Sequence, residues 1–180
     1  TEGEDAVLGR FDRSVRKNLR QADRQGIRVD AAVTDRHFDD YYTIMAQSRR
    51  SLGLRMFPRR FWDLHRQYLS DLDRASFYVA YLGDMPLACL GAGWGEIWVT
   101  ELLSGTSDAA REGSHFSGEA LKLKIVRDAI ARGVRYYDMA GVRVDKPTNK
   151  EEAILRYMRK FGGVLTRIPL IDMHLSGPRG

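Results

Sequence analysis

The sequence is poor in the residues and segments that mark several classes of protein. Its 180 residues contain one cysteine, Cys89, and five prolines. A single cysteine excludes an intrachain disulfide and a zinc site built on several cysteines, and its place in the apolar run PLACLGA favours a buried core residue. No apolar run approaches the roughly 20 residues of a membrane-spanning helix. These absences favour a location in the reducing cytoplasm.

Known catalytic motifs are also missing. The sequence contains no G-x-S-x-G elbow, no phosphate-binding Walker loop and no H-E-x-x-H pair. His37, His65 and His174 show no metal-ligand spacing, so we expect neither a metal ion nor a bound cofactor. No signal peptide is visible, but the sequence starts at Thr1, and targeting information upstream of that residue would be lost from it.

The composition that is present is that of an ordinary globular domain with a basic excess. Hydrophobic residues make up 43% and charged residues 29%, and the formal net charge is +5. A chain of this length is enough for one compact domain with a sizeable core. The excess of arginine fits a phosphate or RNA partner, and it fits a solvated basic surface equally well.

The hydrophobic periodicity predicts an α+β fold with helices packed on a mixed, mostly antiparallel sheet. Helical spacing comes first, then three β-type runs with Gly83-Asp84 as a hairpin turn, then alternating helices and strands. The predicted helices are 10–25, 34–53, 58–72, 114–133 and 148–163, and the predicted strands are 27–33, 75–82, 85–94, 96–105, 134–141 and 164–175.

The stretch RYYDMAGV places a carboxylate and a glycine at the tip of a short strand. A carboxylate at the C-terminal end of a strand can face a crevice and hold an ammonium group or a hydroxyl. Asp138 can instead cap a neighbouring loop or pair with Arg135 or Arg143. Tyr136 and Tyr137 are expected to pack in the core with their hydroxyls at its rim, unless Tyr137 faces a substrate.

The stretch REGSHFSGEALKL predicts a helix start that permits close backbone approach. Free N–H groups at helix N-termini bind anions such as pyrophosphate. The alternative is a flexible capped start, with Ser114 or Ser117 as the cap. His115 is either a general base near neutral pH or a hydrogen-bonded surface residue. The spacing from His115 through Gly118 to Leu121 resembles the acyl-CoA loop of the GNAT superfamily.

Four further segments together resemble the FemABX peptidyltransferase family, a branch of the GNAT fold. They are VRKNLRQADRQGIRV, LLSGTSD, AIARGVRYYDMAGV and LRYMRKFGG, and the likeness spans roughly residues 15 to 173. The resemblance implies a single GNAT-like domain over 1–180, a single-domain relative or the C-terminal half of a two-domain protein. Two features depart from the family pattern: Met158 stands where the family has a lysine, and one glycine of a Gly-Gly pair is kept.

The resemblance implies a transferase that forms an amide bond. The donor would be an aminoacyl-tRNA and the acceptor an amine of a peptidoglycan precursor, in cell wall biogenesis, or of a peptide natural product. One alternative is an N-acyltransferase that uses acyl-CoA as its co-substrate. The others are a non-catalytic binding domain that lost its lysine and an RNA-binding module.

Candidate site residues follow from these motifs. Backbone N–H groups near Leu103 to Thr106 are the expected oxyanion hole. The catalytic candidates are Asp138, Tyr137 and Tyr157. The substrate-binding candidates are Ser104, Gly105, Thr106, His115, Gly118, Arg159 and Lys160, and the nucleic-acid-binding candidates are Arg16, Lys17, Arg20 and Arg24.

Overall fold

The structure is a computed structural model, and it describes residues 3–113, 115–141 and 147–166. Seven helices and five strands lie in these ranges. The helices are α1 Glu4–Arg10, α2 Arg13–Arg24, α3 Asp35–Ser51, α4 Arg59–Asp71, α5 Asp108–Glu112, α6 Ser117–Ala131 and α7 Asn149–Arg159. The strands are β1 Ile27–Ala31, β2 Ala75–Leu82, β3 Met85–Trp94, β4 Trp98–Thr106 and β5 Tyr136–Asp138.

The strands form one sheet in the order β1-β2-β3-β4-β5. β1 to β4 pair antiparallel, and Gly83, at a φ of 59°, lies in the turn between β2 and β3. β5 pairs parallel with β4 after the chain has passed through α5 and α6. The α+β class and the mostly antiparallel mixed sheet are therefore confirmed.

Both sides of the sheet are covered by helices. Because side chains alternate along a strand, Phe77 and Val79 face α3 and α4, whereas Tyr78 and Ala80 face α6. The aromatic residues of the α3–α4 side pack closely, with the rings of Tyr41 and Trp62 stacked at 4.9 Å. Cys89 is 1% exposed and belongs to that cluster, as its apolar surroundings in the sequence predict.

A third cluster joins α1, α2 and α7 to the outer side of α6. Phe11 and Val15 are buried there against Val126 and Phe161. The backbone N–H of Asp12 donates to the carbonyl of Lys160 at 2.7 Å, which ties the start of α2 to the end of α7. These helices stand beside the end of the sheet where β5 stops.

Several element boundaries differ from the prediction. The predicted helix 10–25 is broken at Phe11, whose backbone is extended, and α2 starts after Asp12, whose carboxylate accepts from the N–H of Ser14 at 2.7 Å. The short helices α1 and α5 were missed. Most of the predicted strand 164–175 lies outside the described residues, and 164–166 form no regular element.

None of the helices in the described ranges has the length and apolar character required to cross a membrane.

Candidate functional site

β4 and β5 separate part-way along the sheet. They pair through Trp98 and Tyr136, Val99 and Tyr137, and Thr100 and Asp138, and there β5 ends. β4 continues to Thr106, so the edge from Glu101 onward has no strand partner on the β5 side within the described ranges. The opening lies next to the backbone of Leu103 to Thr106, which the sequence analysis predicts to be the oxyanion hole.

A β-bulge shapes β4 at this opening. Leu102 and Leu103 stand opposite the single residue Gly91, because the β3–β4 register shifts there by one. Gly91 fits a tight space, since a Cβ at that position would lie 3.1 Å from the Cβ of Leu102 and 3.2 Å from the hydroxyl of Tyr41, closer than ordinary van der Waals contact. The buried hydroxyl of Tyr41 donates to the carbonyl of Leu103. The bulge bends the strand and is fixed from the α3 side.

Two buried charges meet where the strands part. The Oε1 atom of Glu101 accepts from the Nζ of Lys122 and, at 2.6 Å, from the hydroxyl of Tyr137. The side chains of Glu101 and Lys122 are 10% and 8% exposed. Unpaired charges at this depth would be strongly disfavoured, so the pair and the tyrosine satisfy one another.

Tyr157 of α7 closes this site against α6. Its hydroxyl would lie 3.4 Å from a Cβ at Gly118, and the Nζ of Lys122 lies 5.9 Å from its ring centroid. Burial, and then the charges of Glu119 and Glu101, raise the pKa of Tyr157 far above its ordinary value. Burial, and then Glu101, raise the pKa of Tyr137 in the same direction. Both hydroxyls therefore stay protonated at neutral pH and act as donors.

A second buried carboxylate, that of Glu119, lies on α6 one turn before Lys122. Glu119 is 9% exposed, and its Oε1 accepts from the Nδ2 of Asn18 at 3.0 Å. This bond connects α2, which carries the candidate RNA-binding cations, to the first turn of α6. The candidate site is thus physically joined to the basic helix.

Sequence reasoning missed Glu101 and Lys122. A signal existed, because strand alternation places Glu101 on the same side as Val99, and Lys122 follows Leu121 on the inner face of a helix. A charged residue at such a position indicates either a functional group or a buried pair. The partner could not be found from the sequence, since the two residues lie on different elements.

Asp138 lies on the side of the sheet away from Glu101 and Tyr137. It is half-buried, and its Oδ1 accepts from the backbone N–H of Ala140 at 3.0 Å. Ala140 has a φ of 64°, so the carboxylate supports a tight turn directly after the strand. This is the loop-capping alternative that the sequence left open. It is compatible with the proposed catalytic role, which remains a prediction.

The start of α6 differs from the prediction in its cap. The cap residue is Phe116, with a left-handed φ of 52° and no side-chain cap bond, and Ser117 is the buried first residue of the helix. Ser117 is therefore not the cap, and Ser114 lies outside the described residues. The Nδ1 atom of His115 is buried without a hydrogen-bond partner, and a Cβ at Gly113 would overlap the His115 ring.

The predicted substrate-binding residues of β4 and α7 occupy different environments. Ser104 is exposed on the open edge, and the carbonyl of Thr106 accepts from Arg111 at 2.5 Å. Gly105 is buried against α3, where a Cβ would lie 3.1 Å from the sulfur of Met45. Arg159 and Lys160 are exposed at the end of α7.

The four basic candidates of α2 separate into two groups. Arg16 donates to the carbonyls of Gly9 at 3.2 Å and Leu8 at 3.5 Å, so it caps the end of α1. Lys17, Arg20 and Arg24 are exposed at steps of three and four residues, on one side of the helix. A groove of about 460 Å³ runs between α2 and α6, with Arg16 and Arg20 in its wall.

Tyr136 is not a core residue. It is 55% exposed beside Trp98, which is 53% exposed. The expectation of core packing is wrong for Tyr136 because its side of β5 is not covered by α3 or α4. No group of three or more His, Cys, Asp or Glu residues able to hold a metal ion occurs in the part of the chain that the structure describes.

Comparisons with known proteins agree on the architecture. A family model described as an acetyltransferase (GNAT) domain matches residues 9–147. No curated protein matches the chain. The crystal structure of FemX superposes with a TM-score of 0.78 at 11% identity, over 89% of this chain and 56% of FemX. The chain thus spans a little over half the length of FemX.

Two acetyltransferase structures are matched over almost their whole length. AAC(6')-Iy, in complex with the bisubstrate analog CoA-S-monomethyl-acetylneamine, gives a TM-score of 0.65 at 10% identity over 83% of this chain and 99% of that protein. An aminoglycoside acetyltransferase from an uncultured soil metagenomic sample, in complex with trehalose, gives 0.60 at 10% identity over 83% and 97%. At these identities the likeness shows the fold alone.

Proposed function

The chain belongs to the acetyltransferase (GNAT) domain family, and from this premise we propose that it is an aminoacyltransferase that forms amide bonds. The donor that we infer is an aminoacyl-tRNA, and the acceptor is an amine of a peptidoglycan precursor or of a peptide natural product. The observation that carries the proposal is the opening beyond Thr100 and Asp138, where the bulged edge of β4 has no strand partner among the described residues.

The opening suits the attack of an amine on an activated carbonyl. Unpaired backbone N–H groups on the edge near Leu103 to Thr106 can hold the carbonyl oxygen as it gains negative charge. The amine nitrogen forms the new C–N bond, the ester C–O bond to the ribose breaks, and the amine proton is passed on while the ribose oxygen receives a proton. Positioning of the two reactants supplies much of the acceleration.

The side chains around the opening fall into distinct proposed roles. Asp138, at the end of β5, is the candidate that holds the ammonium form of the acceptor and takes its proton. Tyr157, held protonated by burial, is the candidate donor to the departing oxygen. Tyr137 already donates to Glu101, so it positions that carboxylate or relays a proton.

The choice of tRNA as donor rests on the basic face of α2. Lys17, Arg20 and Arg24 are exposed, and no ion pair engages them within the described residues. Cations spaced along a helix bind a nucleic acid backbone and release counterions. The bond from Asn18 to Glu119 places α2 next to the start of α6, and the three cations point from α2 toward solvent.

An acyl-CoA donor is the alternative. It is favoured by the start of α6, where Phe116 makes no side-chain cap bond, so first-turn N–H groups can bind a pyrophosphate. It is also favoured by the likeness to AAC(6')-Iy, whose structure holds a CoA bisubstrate analog. The chemistry at the opening would be the same, with a thiol leaving in place of a ribose hydroxyl.

The test is donor consumption. The purified protein is incubated with charged tRNA, or separately with acyl-CoA, together with amine acceptors, and mass spectrometry identifies the product. Amide formation from charged tRNA supports the proposal, formation from acyl-CoA alone supports the alternative, and no product from either contradicts both.

Two sets of variants assign the roles. Asp138→Asn keeps an oxygen for the N–H of Ala140, so we expect turnover to fall about 10²-fold with the fold intact; unaltered turnover would remove Asp138 from the mechanism. Replacing Lys17, Arg20 and Arg24 by Gln should lower the slope of log affinity for tRNA against log salt by about 2 to 3. The matched control replaces three exposed arginines elsewhere, Arg55, Arg60 and Arg74.

A further inference from the structure

Trp98 and Tyr136 form an exposed aromatic pair on the β4–β5 edge of the sheet. They stand opposite each other in the register, with ring centroids 5.4 Å apart and ring planes inclined by 42°. The other two tryptophans are buried, Trp62 at 1% and Trp94 at 6% exposure. Trp98 is thus the one tryptophan of this chain that offers most of its ring to solvent.

Core packing does not account for this pair. Val99 and Tyr137 point toward α6, so Trp98 and Tyr136 point to the other side of the sheet. On that side, the residues of β4 that pack against the α3–α4 cluster are Leu102 and Leu103, farther along the strand than Trp98. Two adjoining rings that stay more than half exposed forgo a large part of the stabilisation that burial of their apolar surface would give. Contiguous apolar surface of this kind marks binding sites.

The pair is continuous with the opening between the strands. The next residues on the same side are Thr100 and Asp138, about 7 Å farther along the strands at two residues each. β4 and β5 separate immediately beyond them. Asp138 and the opening therefore lie in the same direction from the rings, and one end of a ligand that lies on the rings reaches both.

The geometry of the rings discriminates between ligands. Because the two ring planes are inclined by 42°, they offer no single flat surface, so a flat nucleobase can stack on only one of them, whereas a puckered saturated ring can present C–H groups to both. The aromatic faces and the Asp138 carboxylate attract an ammonium group, and the carboxylate repels a phosphate.

From this arrangement we propose that Trp98, Tyr136 and Asp138 bind an amine carried on a saturated ring, of the amino sugar class. The rings hold the C–H faces of the sugar, Thr100 supplies a hydroxyl for its polar groups, and Asp138 holds the ammonium group. The description of this ligand as the acceptor rests on the proposed acyltransfer. The binding site itself does not depend on it.

Binding can be measured without turnover. Because Trp62 and Trp94 are buried, iodide quenching of the intrinsic fluorescence reports mainly on Trp98. Glucosamine should protect Trp98 from iodide and shift its emission, and Trp98→Phe should abolish the signal. Glucose, which lacks the amine, and pentylamine, which lacks the ring, should each bind at least tenfold more weakly. Tyr136→Ala and Asp138→Asn should each weaken glucosamine binding about tenfold.

The control variant is Tyr68→Ala, which removes an exposed tyrosine of α4 that is remote from the pair in the sheet. It should bind glucosamine as the unaltered chain does. Equal protection by glucose and glucosamine, or a response to glucosamine that survives in Tyr136→Ala, would overturn the proposal.

The two proposals fail in different ways. Protection by glucosamine with no amide product from any donor supports the proposed amino sugar site of Trp98, Tyr136 and Asp138, called the ring site below, and contradicts the proposed acyltransfer. Amide formation with a KM for amino sugars that is unchanged in Tyr136→Ala keeps the acyltransfer and overturns the ring site. An increase of that KM by about tenfold, with the donor KM unchanged, supports both.

Discussion

The two sides of the sheet bury different types of side chain. The α3–α4 side is rich in aromatic residues, with Tyr41, Trp62 and Phe77 in mutual ring contact. The α6 side holds an ion pair between Glu101 and Lys122 at a depth where charges are costly. A buried ion pair stabilises a fold less than apolar residues of the same shape would. We infer that the aromatic cluster of the first side maintains the fold and that the Glu101–Lys122 pair of the second is retained for chemistry.

The largest effect should come from the aromatic side. Trp62→Ala should lower the free energy of unfolding by about 3–5 kcal/mol, because the ring is fully buried and its loss leaves a cavity. Urea denaturation measures it.

The matched control is Trp62→Phe. The Nε1 atom of Trp62 is buried without a partner, so its removal relieves an unsatisfied donor and offsets part of the lost packing. A loss below about 1.5 kcal/mol for Trp62→Ala would contradict the assignment of stability to this side, since smaller values are usual for substitutions that leave the core intact.

Replacement of one member of the Glu101–Lys122 pair should destabilise the fold more than replacement of both. Lys122→Met alone should cost about 3 kcal/mol, because Glu101 would stay buried with only the Tyr137 hydroxyl as partner. Adding Glu101→Leu should restore most of that stability, whereas transfer activity should be lost in both the single and the double variant. A double variant that keeps full activity would show the pair to be structural.

Alkaline pH should act on the buried tyrosines of both sides. Burial raises the pKa of Tyr41, Tyr78, Tyr137 and Tyr157 in the folded chain. The unfolded chain releases these protons near pH 10 and the folded chain retains them, so stability is complete below about pH 10 and falls above it. Unfolding experiments from pH 9 to 11.5 measure the slope.

Removal of the Tyr157 hydroxyl tests whether buried tyrosines cause the loss of stability above pH 10. Tyr157→Phe should make the decline above pH 10 shallower by up to about 1.4 kcal/mol per pH unit, the contribution of one proton. Tyr68→Phe on the exposed face of α4 is the control and should leave the slope unchanged. Identical slopes for both variants would show that the alkaline loss arises elsewhere.

The smallest effect concerns the attachment of α1 to the α6 side. Glu4 accepts from Arg127 at 2.8 Å, and this bond lowers the pKa of Glu4. Its contribution is present above the unfolded value and is lost as pH falls through the folded value. Since the pair is largely exposed, Glu4→Gln should cost less than about 1 kcal/mol at neutral pH. A loss of several kcal/mol would mean that α1 is part of the core.

Local patterns predicted the elements well where one residue type forces the backbone. Gly83 at the β2–β3 turn is such a case, and β3 begins at Met85 as predicted. The prediction was weaker where several residues compete. Phe116 caps α6 although serines stand on both sides, because burial of Ser117 and of the helix face fixes the register.

The candidate site was predicted only in part. Asp138, Tyr137 and Tyr157 were proposed from the end of a short strand and from the family resemblance, and their catalytic roles stay predictions. Glu101 and Lys122 were not, and Tyr136 was expected in the core. Each of these depends on what lies across the sheet, which strand alternation alone does not tell.

The sequence by itself determined the α+β class, the order of the strands and of the longer helices, and the basic face of α2, because periodicity and turn residues act over a few positions along the chain. Only the tertiary structure decided that β4 and β5 part after Thr100, that Glu101 and Lys122 neutralise each other, and that Trp98 and Tyr136 remain uncovered. The physical reason is that strand separation, burial and charge pairing depend on which elements pack together, and residues far apart in the chain settle that.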